Sequence, residues 1–207
     1  TGDYLSLADS DDWNFGTGSF TIDFWARFNT LPTAGSWVML CSQFLDWNNR
    51  MRFFLWNNAG TRTWGFDVFR GGVAIQSFAW TSALSTGTWY HVALVRSGNS
   101  WYFFQDGTNL GTGTDSDTYP DIAASFYIGG DPVAGVYLNG WTDEFRVSKG
   151  VARWTSNFSP PTSAYVADLS TVLLLHMDGA DGSTTFTDDA YAGPASFSFN
   201  VRAGATQ

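Results

Sequence analysis

Residues 89–107 constrain the fold of this chain more than any other stretch. Trp89, His91, Ala93 and Val95 alternate with Tyr90, Val92, Leu94 and Arg96, so the two sets point to opposite faces of a strand. Ser97, Gly98, Asn99 and Ser100 are turn residues. Residues 101–105 form the return strand, and Asp106 with Gly107 supplies the next tight turn. Both strands are too apolar to leave one face in water. They suit the middle of a sandwich, where a sheet packs on a second layer.

The rest of the chain repeats this grammar. Residues 4–7 read as a short strand, and residues 8–18 as a long acidic, glycine-containing loop. Phe20, Ile22, Phe24 and Ala26 alternate with Thr21, Asp23, Trp25 and Arg27, which predicts a strand. Further strands are predicted over 37–44, 51–56, 63–69 and 73–78, broken by Asp46 to Asn49, Asn57 to Gly60, and Gly71 with Gly72. A polar loop is expected over 111–120, then strands over 125–128 and 141–147. Residues 149–158 predict one helical turn, ended by Pro160 and Pro161. No segment sustains helical periodicity, and about a dozen short strands fit an antiparallel sandwich.

Four pieces of the chain carry a resemblance. They are Ser19-Phe20-Thr21-Ile22-Asp23-Phe24-Trp25; Trp89-x-His91-Val92-Ala93-Leu94-Val95-Arg96 with Phe103-x-x-Asp106-Gly107; Phe126-Tyr127-Ile128-Gly129-Gly130; and Gly140-Trp141-Thr142-Asp143-Glu144-Phe145-Arg146-Val147. In this order, over residues 3–148, they resemble the laminin-G-like domains of the concanavalin A-like lectin/glucanase group. The resemblance implies an all-β fold, a two-sheet antiparallel jelly-roll sandwich. It does not imply one function, because that fold carries lectins, hydrolases, adhesion modules and structural spacers.

The tail departs from the family's order. Residues 171–188, with Asp178-Gly179 and Thr185-Phe186-Thr187-Asp188, resemble the opening of such a domain, which usually precedes a strand like Gly2-Asp3-Tyr4-Leu5. The chain therefore reads as circularly permuted relative to the family. It divides into a jelly roll over 1–170 and a tail over 171–207 with two strands, at 171–175 and 195–201. Three arrangements are open for the tail. It completes its own sandwich; it is donated to the next copy, with Val172, Leu173, Leu174 and Leu175 as the assembly strand of a fibre or homo-oligomer; or it begins a further domain. An uncovered sheet edge is a liability, which favours the first two.

Composition narrows the partners. The chain has 207 residues, enough to bury a core without staples. The net charge of −9 argues against nucleic acid and against an anionic membrane surface. It is compatible with neutral glycans, with cations and with solubility outside a cell. Cys41 is the only cysteine and is expected to be a buried thiol. No apolar run approaches a membrane span, so no membrane insertion is expected. The start, Thr1-Gly2-Asp3, lacks a signal-peptide pattern, so the chain is expected to be a processed product or a piece of something longer.

Candidate sites follow from residue chemistry. Asp143 and Glu144 are adjacent on a predicted strand and so point to opposite faces, which is wrong for the paired carboxylates of a glycosidase. Glu144 is the only glutamate, and no Ser-His-Asp set can be assembled, so no enzyme is expected and a glycoside hydrolase is the weakest reading. His91 is expected to be a hydrogen-bonded structural residue. No cofactor is expected beyond a structural calcium, for which Asp9, Asp12 and Asp143 are candidates, with Asp11, Asp178 and Asp181 of similar character. The bland alternative is a set of solvated loop acids and an ion pair from Asp143 or Glu144 to Arg146 or Arg27. Glycan binding needs flat aromatic faces beside amides, and Trp47, Asn48, Trp56, Asn57, Trp64 and Trp13 have that character. Asn157-Phe158-Ser159 is a glycosylation sequon disfavoured by the following Pro160. Together these point to a surface-displayed module, extracellular, on a cell surface or on a virion, that binds glycans or a host surface, with a self-assembling fibre subunit as the alternative.

Overall fold

The computed structural model describes residues 2–179, 183 and 185–190. In chain order the strands of the first half are β1 (Leu5–Leu7), β2 (Phe20–Phe28), β3 (Trp37–Asp46), β4 (Asn49–Asn58), β5 (Thr61–Arg70), β6 (Val73–Thr81) and β7 (Trp89–Ser97). They continue as β8 (Ser100–Gln105), β9 (Thr108–Thr114), β10 (Phe126–Ile128), β11 (Gly130–Asp131), β12 (Val136–Tyr137), β13 (Gly140–Lys149) and β14 (Thr171–Leu175). Two six-stranded antiparallel sheets result, ordered β1-β10-β3-β4-β5-β6 and β14-β13-β2-β7-β8-β9. This is the expected jelly-roll sandwich. No helix among the described residues is long and apolar enough to cross a membrane.

The inward residues of both sheets interlock as aromatic pairs. Phe24 stacks on Phe145 at 5.1 Å and meets Phe53 of the facing sheet edge-on at 5.7 Å. Trp64 packs on Phe103 at 5.7 Å, and Trp80 stacks on Phe103 at 4.7 Å. Each such ring, fully removed from water, contributes about 1.5–3 kcal/mol before entropy is counted. Cys41 is buried in β3, and burial pushes its thiol pKa well up, as expected of an inert thiol.

Two local expectations are corrected. Residues 111–114, expected to open a polar loop over 111–120, belong instead to strand β9; its glycines let the edge pass close to the Phe78 and Trp80 rings. Gly111 and Gly113 face Trp80 and Phe78 so closely that a Cβ at either would collide with those rings. Residues 149–158 hold no helical turn. They run instead as a strap across the outer face of the second sheet, where apolar burial decides the path. Within the strap Trp154 stacks on Phe158 at 3.9 Å, and Phe158 reaches Phe104 at 5.2 Å.

The tail strand β14 pairs with β13 of its own chain, Phe145 opposite Leu175 and Val147 opposite Leu173. Leu173, Leu174 and Leu175 are buried there, and Val172 is half-buried. Asp188 and Asp189 lie alongside, Asp188 accepting the Leu174 N–H at 2.9 Å and Asp189 donating its N–H to Leu174 O at 2.9 Å. The second tail strand, expected at 195–201, lies outside the described residues.

Candidate glycan-binding face

The two outer faces of the sandwich differ. On the second sheet, the strap and a buried polar network cover much of the face. Arg146 donates from Nε and Nη2 to Asp23 at 3.0 and 2.8 Å, and its guanidinium lies 4.2 Å over the Tyr165 ring. His91 Nε2 and Tyr165 Oη share a hydrogen bond of 2.8 Å. His91 is thus the structural histidine that the hairpin pattern predicts. Burial, and the neighbouring Asp23 carboxylate, push the Tyr165 phenol pKa up.

On the first sheet, strand alternation builds a different surface. Met51, Phe53 and Leu55 enter the core, so Arg50, Arg52, Phe54 and Trp56 face out. On β5, Trp64, Phe66 and Val68 enter the core, so Thr63, Gly65, Asp67 and Phe69 face out. Pairing aligns Trp37, Trp56 and Thr63 in one row and Ser42, Arg52 and Asp67 in another. Gly65 is required here, because a Cβ at that position would collide with the Phe54 ring lying over it.

This face is a trough. Ten residues of flat strand span roughly 33 Å. Yet the Trp37 and Trp47 rings lie 6.3 Å apart and within 11° of parallel. Register shifts in β3, between Met39 and Cys41 and between Phe44 and Asp46, break the regular β3–β4 ladder between the two tryptophans. The Asp46 carboxylate accepts the N–H groups of Asn48 (2.7 Å) and Asn49 (2.8 Å), fixing the turn that presents Trp47. Those bonds, the one from Asn48 first, lower the Asp46 pKa. Trp47 is 54% exposed and Trp56 38%.

Beneath the indoles lies charge. Arg52 grips Asp67 through Nε at 3.0 Å and through Nη2. Its guanidinium sits 4.6 Å from the Trp37 ring and 5.8 Å from Trp47. Arg50 lies 3.7 Å over Phe69 and donates to Trp47 O. Burial lowers the Arg50 pKa, helped by the neighbouring Arg52 charge.

The expected glycan residues are therefore divided. Trp47, Asn48 and Trp56 reach this surface. Trp64 and Trp13 do not: both are buried, Trp64 donating to Gln105 Oε1 at 3.0 Å and Trp13 stacking on Phe126 at 4.8 Å. Asn57 is also buried, donating to Pro32 O at 2.8 Å and accepting the Gly60 N–H at 2.7 Å to close a turn. Trp37, Arg50, Arg52 and Asp67 belong to the face and were not singled out from sequence. The signal was the alternation of residues 50–56 around Met51, Phe53 and Leu55.

The calcium candidates are not brought together. Asp12 accepts from Ser10 Oγ at 2.8 Å, while Asp143 accepts the Glu144 N–H at 2.9 Å. Among the described residues no three His, Cys, Asp or Glu side chains converge where an ion would sit. Asp181 lies outside the described residues. The expected ion pair of Asp143 or Glu144 with Arg146 or Arg27 is replaced. Arg146 takes Asp23, Arg27 lies 4.7 Å over Trp141, and Glu144 takes His176. The strand is also irregular there: Glu144 has φ of 52° and falls in a register shift between Asp143 and Arg146, so simple alternation does not govern the pair.

Comparison with known proteins agrees with this architecture. A family model described as the concanavalin A-like lectin/glucanases superfamily matches residues 1–155. No curated protein matches the sequence. Among solved structures, a Bacteroides ovatus protein named as a candidate carbohydrate-binding protein is similar with a TM-score of 0.68 and 18% identity, over 100% of this chain and 59% of that one. Domain 4 of a GH43 extracellular arabinanase of Geobacillus stearothermophilus, solved with arabinotriose, is similar with a TM-score of 0.51 and 17% identity, over 71% and 66% of the two chains. The enzymatically active domain of tailspike protein 2 of bacteriophage CBA120 gives 0.52 and 12%, over 73% and 24%. At these identities the likeness is one of fold.

Proposed function

This chain belongs to the concanavalin A-like lectin/glucanase superfamily, and on that footing we propose that it is a non-catalytic carbohydrate-binding module whose ligand lies in the trough of the first sheet. The observation that carries this reading is the exposed Trp47 indole, parallel to Trp37 and above the Arg52–Asp67 pair. An indole face takes the C–H face of a sugar ring, and guanidinium and amide groups beside it take the hydroxyls. Asn48 supplies such an amide on the same turn. The extracellular arabinanase domain solved with arabinotriose supports a saccharide ligand and a place outside the cell; the tailspike likeness supports a virion surface equally.

The non-catalytic part rests on how the carboxylates are used. Asp67 is buried and held by Arg52, and Glu144 is held by His176 and by the Tyr165 N–H at 2.7 Å. Neither is free to act as the acid or base of glycoside cleavage. Strand donation has no such support, since β14 already pairs within its own chain.

Intrinsic tryptophan fluorescence tests the proposal. Titration with arabinan, xylan, glucan and pectic oligosaccharides should give a saturable change with at least one of them, and Trp47→Ala should abolish it. No saturable change with any saccharide, or an unaltered response in Trp47→Ala, contradicts the reading.

A further inference from the structure

We propose that the trough selects acidic saccharides, its arginines receiving a sugar carboxylate. This rests on the carbohydrate-binding reading and adds a ligand class to it. The first observation is charge placement. Arg50 and Arg52, two of the chain's ten basic side chains, face outward on β4, with Asp67 beside them on β5 and Asp46 at the adjoining turn. In a chain of net charge −9, two neighbouring guanidiniums thus lie on the trough face.

The second observation is independent of that count. Arg52 is 5% exposed and Arg50 7%, yet Arg52 Nη1 and Arg50 Nε have no hydrogen-bond partner. Ser42 Oγ, in the same cross-strand row as Arg52, is also buried and unpartnered. Asp67 hydrogen-bonds Arg52, its Oδ1 stands 3.9 Å from Arg50 Nε, and Asp46 adds a second, longer-range attraction to Arg50. Buried donors without partners are costly, and a planar anion is the group that satisfies guanidinium N–H best. A carboxylate from a uronic acid would satisfy the two unpartnered guanidinium N–H groups, with the Ser42 hydroxyl as an additional donor.

The Arg52 guanidinium lies against both the Trp37 and Trp47 rings and the Arg50 guanidinium against Trp47, so the carboxylate enters as the exposed Trp47 side chain swings outward. Stacking of the sugar ring on that indole and capture of its carboxylate are then one event.

The test compares polygalacturonate and alginate with their own methyl esters, on the wild-type protein, by isothermal titration. The free acid of at least one polymer should bind at least about tenfold tighter than its ester. That preference should shrink as sodium chloride rises from 0.05 to about 0.5 M. Arg50→Gln should lose the preference and keep residual binding; its folding is checked by thermal unfolding, and the wild-type comparison decides the matter if it does not fold. Equal binding of acid and ester, or binding of neutral glycans alone, overturns the acidic selectivity and leaves the carbohydrate-binding reading standing. Binding of no saccharide at all overturns both.

Discussion

Glu144 and His176 meet at 2.8 Å, joining the irregular segment of β13 to the residue that follows β14. Glu144 is the only glutamate of the chain, and its second oxygen also accepts the Tyr165 N–H at 2.7 Å. One carboxylate thus ties together β13, the segment around Tyr165 and the tail. Glu144→Gln is expected to lower stability by about 1–2 kcal/mol, because a charge-assisted contact becomes a neutral one while the Tyr165 acceptor is kept. Thermal unfolding measures this. Polysaccharide binding should be unchanged.

The second tie is pH-sensitive. Arg153 donates to Asp168 at 2.9 and 3.0 Å and, with the Ser170 N–H and Thr171 hydroxyl, lowers the Asp168 pKa to about 2. The folded value lies below the unfolded value of about 3.9, so the stabilisation is fully present above pH 4 and is lost as pH falls toward 2. Asp168 is half-exposed, so the contribution is screened and is at most about 1 kcal/mol. Asp168→Asn should be less stable than wild type at pH 7 and nearly equal to it at pH 2, as chemical denaturation at the two pH values would show.

Truncation after Ser170 should be severe. It strips β14 from β13 and removes Leu173 and Leu175 from the core, each worth about 1.5–3 kcal/mol of burial. It also exposes the β13 edge to pairing with other chains. An unstable or aggregating product is expected in light scattering and unfolding. A soluble remainder with unchanged melting would sink this account of the tail.

Gly65→Ala offers a probe of the trough. The new Cβ would strike the Phe54 ring, which must move off the face where it lies beside Trp37 at 5.8 Å. Stability is expected to fall by about 1–3 kcal/mol, as for other overpacked sites. Any saccharide affinity should fall with it, which titration of the folded variant would reveal.

Much of the fold is legible in the sequence because burial writes alternation into it. The β7–β8 hairpin and β2 follow directly from Trp89 to Gln105 and from Phe20, Ile22, Phe24 and Ala26. β9 was hidden because Gly111 and Gly113 serve as space for Trp80 and Phe78, and glycine ordinarily signals a turn. The site was half legible. Exposure of Trp47 follows from its place in a turn, but Trp13 and Trp64 carry the same side chain and spend it in the core. Residue type alone does not separate them; strand parity does so for Trp64, whose neighbours at two-residue spacing, Phe66 and Val68, are core residues. The meeting of Trp37 with Trp47 joins the two ends of a strand with two register shifts between them, which periodicity does not encode.

The most direct test of the central claim sets two exposed tryptophans against each other. Trp47 stands on the trough of the first sheet, and Trp89, 39% exposed, lies on the second. Isothermal titration of a bound oligosaccharide into wild type, Trp47→Ala and Trp89→Ala should show affinity weakened at least about tenfold in the first variant and within about twofold of wild type in the second. Unchanged affinity in Trp47→Ala, or a loss in Trp89→Ala as large as its own, would place the saccharide elsewhere and contradict the account.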